Sequence, residues 1–217
     1  MRPTEKLKSM VLKDWHAATY HPFCRDLAQG TLPLNKMRWY LVQDYQFVDG
    51  FIRLLARAIS HAPTLKDAIP MAQFLGLVTS EENTYFLRSF DALGVTKEQQ
   101  EAAPAKPTAE FQGLMARAAD SGDYAQMLAV LVVAEWSYLE WAAPFLEQAD
   151  TLPFYFGEWI TLHAGEGFEG VVAHLRSQLD AIWPSLSPEN TALVEATFSE
   201  AIQLERAFFD AAYLDRD

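Results

Sequence analysis

Acidic side chains standing alone in apolar helical stripes are the residues of this chain best placed to do chemistry. Spacings of three and four mark the buried face of a helix, and three such faces can be traced. The first is Met37, Tyr40, Leu41, Asp44, Val48, Phe51, Leu55. The second is Leu128, Leu131, Val132, Glu135, Tyr138, Leu139, Ala142, inside the apolar segment Val130–Trp141. The third is Phe198, Ala201, Ile202, Glu205, Phe208, Phe209, Ala212. Each carries one carboxyl, and the shorter stripe Leu75, Val78, Glu82, Tyr85, Phe86 carries a fourth. Burying a carboxylate without a partner is costly, so either these positions face water or the acids meet and share a task. If the stripes meet in one bundle, desolvation and like charge push some of their pKa values up. A protonated carboxyl beside an ionised one is then a general acid/base pair.

Carboxylate clusters of this kind serve two chemistries. A di-metal bundle needs Glu-x-x-His on two helices, acid and imidazole on a shared face. That pattern is missing; only the reverse spacing, His163-Ala-Gly-Glu166, occurs, and His16, His21, His61, His163 and His174 fall out of step with the acids. The expectation is therefore a site with no metal. The other chemistry is metal-free hydrolysis or recognition of a flat basic heterocycle, with carboxylates on its ring nitrogens and amino groups and aromatics on its faces. His163, just before Gly165-Glu-Gly167, either edges such a pocket or simply ends a helix. Cys24 reads as a core residue, with no neighbour in sequence to activate a thiolate. No Gly-rich phosphate loop, Gly-x-Ser-x-Gly elbow or Cys-x-x-Cys pair is present.

The elements that must position these residues are helices. A first helix is expected from about Thr4 to Tyr20, with re-entry after Pro22 up to Gly30. Asn35 is the expected cap of a long helix stopping at Pro63. Thr64 to Gly94 reads as one long helical stretch with a kink or new start at Pro70. Ala102–Pro107 is a connector, and Thr108 with Phe111 onward opens the next helix. Gly122-Asp123 separates that helix from one running to about Gln148, and Leu152 to Ala164 follows. Gly165-Glu-Gly167 breaks and restarts helix, and Ser187 caps the last one with Pro188 in its first position. The spacing thus predicts an all-α, single-domain bundle over residues 1–217, with about eight helices and short connections.

Whole-chain properties narrow the function. A net charge of −12 over 217 residues argues against nucleic acid and anionic membrane surfaces. No apolar run of about 18 residues predicts a spanning helix. The N-terminus lacks the apolar core of a signal peptide, and the single cysteine cannot form an internal disulfide. A cytoplasmic protein is expected.

Three motifs taken together resemble the TenA/Thi-4 (thiaminase II) family. They are His21-Pro-Phe with Leu27-x-x-Gly30-x-Leu32; Tyr40-Leu-Val-Gln-Asp44-Tyr-x-Phe47; and Glu205-x-x-Phe208-Phe-x-x-Ala212, supported by Trp159-Ile-x-x-x-x-Gly-x-x-Phe168. The resemblance covers nearly the whole chain. It implies a haem-oxygenase-like all-α fold, a homotetramer, no cofactor, and hydrolysis of aminopyrimidine products of thiamin breakdown to hydroxymethylpyrimidine for salvage. By the same resemblance Asp44 holds the pyrimidine, Glu205 is the catalytic acid/base, and Trp136 and Tyr138 are pocket aromatics. The better-known branch keeps a nucleophilic cysteine in Cys-x-Trp-x-Tyr. Here the match reads Ala134-Glu-Trp136-Ser-Tyr138, which resembles the cysteine-less TenA_E branch, with Glu135 beside the missing thiol.

The expected mechanism is hydrolysis at an aminomethyl or formylaminomethyl group. Glu135 and Glu205 act as base and acid in either order, each worth on the order of 10²–10⁴-fold. Asp44 orients the ring and Glu82 supports the acids. Tyr45, Phe47, Trp136, Tyr138 and Phe208 form the walls, and His163 edges the pocket. Two other classes stay open. A non-catalytic pyrimidine-binding or regulatory protein of the same fold predicts binding without turnover. A metal-dependent oxygen enzyme predicts bound iron or manganese.

Overall fold

Prolines and short polar side chains set the helix starts in the computed structural model, which describes residues 1–214. Among them are twelve α-helices and no strand. Helices α1 (Pro3–Met10) and α2 (Leu12–Thr19) replace the single expected first helix, because the backbone turns out of helix at Val11 (φ −115°, ψ 21°). That turn lets α1 lean on the later chain, where Asp180 takes the Thr4 amide at 2.8 Å. Helix α3 (Pro22–Ala28) ends before Gly30, whose φ of 69° suits glycine. Helix α4 (Leu34–His61) starts one residue before Asn35, with Pro33 rather than Asn35 at its N-cap.

The expected stretch Thr64–Gly94 divides in an unexpected place. Helix α5 (Leu65–Leu77) is capped by the Thr64 hydroxyl and carries Pro70 inside it. The interruption comes later, as one π turn over Val78–Glu82, before α6 (Asn83–Leu93). After the short α7 (Lys97–Gln100) come α8 (Lys106–Asp120) and α9 (Tyr124–Ala142), the latter capped by Asp123. Helix α9 stops six residues before the expected Gln148. Pro144 has no N–H for an α-helical bond, and the chain continues as 3₁₀ turns over Ala143–Thr151. Helix α10 (Phe154–Leu162), α11 (Gly165–Ile182) and α12 (Pro188–Tyr213) complete the fold, with Ser187 capping the last as expected.

The bundle is organised around α9. From Met127 to Tyr138 every residue of it is buried, as a helix apolar on all sides requires. It packs against α12, α11, α4, α8 and α2, so its carboxyl at Glu135 has no route to bulk water except through a cavity. No helix of the described residues is long and apolar enough to cross a membrane.

Candidate active site

One cavity gathers all four stripe acids. Helix α4 supplies Asp44, with Phe47, Val48 and Phe51 on the same face at three, four and seven residues' distance. Helix α9 supplies Glu135 and Tyr138, with Ala134 beside them, and α12 supplies Glu205 and Phe208. The π turn delivers Glu82 from its last position. His163, at the C-cap of α10, closes one edge with Trp159. Asp44, Glu135 and Glu205 keep only 6, 8 and 2 % of their surface exposed, while Glu82 is half-buried.

None of these acids forms an ion pair among the described residues; every cation in a salt bridge is engaged elsewhere. Their protons therefore reflect burial and each other. Burial lifts Asp44 to about 7, against the hydrogen bond from Tyr40. Burial, then the nearby Asp44 charge, lifts Glu82 to about 8. Glu135 is pushed well above the usual range by burial and then by Glu82, Glu205 and Asp44, and Glu205 by burial and Asp44. His163 moves the other way. Burial lowers it to about 4, so the ring is neutral at pH 7. Its Nδ1 lies 2.9 Å from the Trp159 carbonyl oxygen; a carbonyl only accepts, so Nδ1 carries the proton and Nε2 is left as an acceptor.

A buried hydrogen-bond chain stiffens this wall. Trp159 Nε1 donates to the Tyr40 hydroxyl at 3.1 Å, and that hydroxyl lies 2.7 Å from the Tyr138 hydroxyl. Ring contacts extend it: Tyr138 meets His163 at 4.8 Å, and Phe47 meets Phe111 edge-on at 4.9 Å. Two of the expected wall residues lie elsewhere. Tyr45 turns to α6, where its hydroxyl donates to Asn83 Oδ1 at 3.0 Å and its ring packs on Phe86 and Phe90. Trp136 turns to α1 and α11, with the Arg176 guanidinium 3.6 Å and the Lys8 ammonium 4.7 Å from its ring centre. Phe51, Phe74, Phe111 and Trp159 line the cavity although the sequence did not single them out for it. Phe51 had a usable signal, two turns beyond Asp44 on one stripe. Phe74 had none, because only the packing of α5 brings it in.

Cys24 is buried at 2 % exposure and does not line the cavity. Burial and the proximity of Glu205 raise its thiol pKa, so it is held as a neutral thiol. Ala134 does line the cavity. Among the described residues no three His, Cys, Asp or Glu side chains are grouped to hold a metal ion. The arrangement can therefore bind a flat cation between rings, hold or release protons near neutral pH, and activate water beside it.

Comparisons with known proteins agree with this architecture. A protein named aminopyrimidine aminohydrolase from Halalkalibacterium halodurans is 29% identical over 205 residues, covering 93% of this chain and 91% of its own length. One of the same name from Bacillus subtilis is 25% identical, covering 98% and 90%. Among solved structures, a TenA homologue from P. horikoshii OT3 superposes with a TM-score of 0.84 at 23% identity, over 98% of this chain and 99% of that one. A domain of unknown function with a haem-oxygenase-like fold from Shewanella denitrificans gives 0.68 at 16% identity, over 98% and 93%. These last two likenesses show the fold. The profile of the TENA/THI-4/PQQC family matches residues 8–215, and the protein belongs to that family.

Proposed function

We propose that the protein hydrolyses aminopyrimidines derived from thiamin breakdown, releasing hydroxymethylpyrimidine for salvage. The observation that carries this reading is the set of four carboxyls without basic partners in one aromatic-walled cavity. The name shared by its relatives supports it. A protonated aminopyrimidine supplies the missing positive charge. Asp44 takes the ring nitrogen and amino group, and Phe47 and Phe208 border the ring. Glu135 and Glu205 divide the remaining work: one carboxylate takes a proton from water as the new C–O bond forms, and the other carboxyl protonates the departing nitrogen as the C–N bond breaks. Charge and protons balance without a covalent intermediate.

Ala134 supports placement in the cysteine-less branch, since a methyl stands where a nucleophilic sulfur would face the cavity. The reading extends to one functional domain, homotetrameric and cytoplasmic; the lone buried thiol is compatible with a reducing compartment. Purified protein should release hydroxymethylpyrimidine from aminomethyl- or formylaminomethyl-pyrimidine, followed by chromatography. Tight binding without turnover would instead make it a pyrimidine-binding protein. No turnover of either substrate, with wild type and Glu205→Gln equally inert, would sink the hydrolase reading.

A further inference from the structure

Tyr40 does not line the candidate active cavity, but its hydroxyl touches three side chains that do. It is fully buried, one helical turn before Asp44 on α4. Trp159 Nε1 donates to its hydroxyl at 3.1 Å, the Tyr138 hydroxyl lies 2.7 Å away, and the Asp44 carboxyl is the third partner. A phenol has one proton to give and two lone pairs to offer. The indole N–H only donates, so it occupies one lone pair. An ionised Asp44 only accepts, so it takes the proton. Tyr138 is left the second lone pair and must donate to it. Burial pushes both phenols well above their usual range, so both keep the protons that this pattern requires. Two donors thus feed the Tyr40 oxygen and polarise the one O–H that reaches Asp44. Glu82, Glu135 and Glu205 share the cavity and oppose a charge on Asp44. No Lys or Arg lines it, and His163 is neutral there, so the Tyr40 O–H is what favours the ionised carboxyl.

We propose that Tyr40 is a positioning residue, whose O–H holds the Asp44 carboxylate charged and fixed for the ring nitrogen and amino group of an aminopyrimidine. Tyr40 itself touches no substrate and acts through Asp44. The rest of its side chain is packing, with ring centres 4.6 Å from Phe23 and 5.5 Å from Phe208. Tyr40→Phe keeps those contacts and removes only the hydroxyl. Tyr85 supplies a matched control. It is as fully buried, its ring stacks on Trp159 at 5.0 Å, and its hydroxyl donates to the Tyr155 carbonyl oxygen at 2.7 Å rather than to an acid. This inference rests on the reading of Asp44 as the acid that holds the pyrimidine, and it adds the residue that prepares that acid.

The test is a double-mutant cycle of Tyr40→Phe and Asp44→Asn. Calorimetry gives Kd for hydroxymethylpyrimidine, which needs no turnover, and steady-state kinetics gives kcat and KM for aminomethylpyrimidine. Tyr40→Phe should raise Kd and KM by about tenfold, the scale of one hydrogen bond to a charged group, and leave kcat near wild type. In the Asp44→Asn background the same change should add little, because the charge it serves is gone. Trp159→Phe removes one donor behind Tyr40 and should weaken Kd by a smaller factor, again only where Asp44 is present. Tyr85→Phe should keep the wild-type constants. A Tyr40→Phe Kd equal to wild type overturns the inference. So do losses that add in the double variant, or a Tyr85→Phe loss equal to that of Tyr40→Phe, since packing alone would produce either. The expected cycle in Kd without turnover overturns the hydrolase reading and leaves the role of Tyr40 standing. A wild type that neither binds nor turns over overturns both.

Discussion

At the scale of single residues, the cavity acids differ in what they should control. Glu135 and Glu205 are placed to move protons, so Glu135→Gln and Glu205→Gln should each lower kcat by about 10²–10⁴-fold with little change in KM. Steady-state kinetics on aminomethylpyrimidine decides, and a variant that instead raises KM alone would remove that residue from the proton-transfer role. Glu82 lines the cavity and is half-buried, so Glu82→Gln should weaken binding of a cationic aminomethyl substrate more than of a neutral formylaminomethyl one. Equal losses on both would mean that Glu82 acts through packing rather than charge. The four acids were legible in the sequence because a lone carboxyl breaks an apolar stripe. Tyr45 and Trp136, both expected in the wall, lie off the cavity, Trp136 against what the family resemblance implied. Successive residues on a helix point about 100° apart, so Tyr45 leaves the face of Asp44 and Trp136 that of Glu135. Trp136 instead locks α1 and α11 onto α9, between Lys8 and Arg176. Trp136→Ala should therefore cost about 3–5 kcal/mol of stability in chemical denaturation, while the KM of the folded protein stays near wild type.

At the scale of elements, the site depends on two local departures from regular helix. The π turn over Val78–Glu82 contains one more residue than an α turn. Nothing in the sequence announced it, since Pro70 offered a more obvious break and was accommodated inside α5. Deleting the exposed Ser80 should convert the π turn toward α-helix and rotate Glu82 away from the cavity. The expected signature is unchanged helicity by circular dichroism with weakened binding of cationic substrate, as in Glu82→Gln. The other departure is the close passage of α10 over the 3₁₀ segment. A Cβ at Gly157 would run into the carbonyl oxygen of Ala149, which is backbone and cannot rotate aside. Gly157→Ala should shift α10 and with it Trp159 and His163, lowering Tm and activity together. Helix starts were readable where chemistry marks them, as at Thr64, Asp123 and Ser187, whose side chains accept backbone N–H bonds. The Val11 turn and the 3₁₀ ending of α9 follow from what α1 and α10 must pack against, and single-helix patterns do not contain that.

At the scale of the whole molecule, the cavity sets a conflict between stability and function. A carboxyl whose folded pKa lies above its unfolded one holds a proton in the native state that the unfolded chain has already released. Across that interval the native state binds more protons, so stability falls as pH rises. For Asp44 the interval runs from 3.8 to about 7, and for Glu82 from 4.5 to about 8. Glu135 and Glu205 add in the same direction. The contribution is therefore fully favourable below about pH 4 and is progressively lost toward pH 8. Asp44→Asn removes one acid from this balance without changing its volume. The variant should melt a few degrees higher than wild type at pH 8.5, on the scale of ~2–4 °C per kcal/mol for a chain of this size, and the gap should narrow as pH falls and close near pH 4. It should do so while losing affinity for aminopyrimidine, the usual exchange when a functional site is held in a strained charge state. A cationic ligand restores the balance by supplying the charge that the fold withholds. It should raise the wild-type Tm more at pH 8.5 than at pH 5.5, measured by scanning fluorimetry at fixed ligand concentration. A ligand shift that is equal at both pH values, or larger at the lower one, would show that the acids do not carry the binding energy.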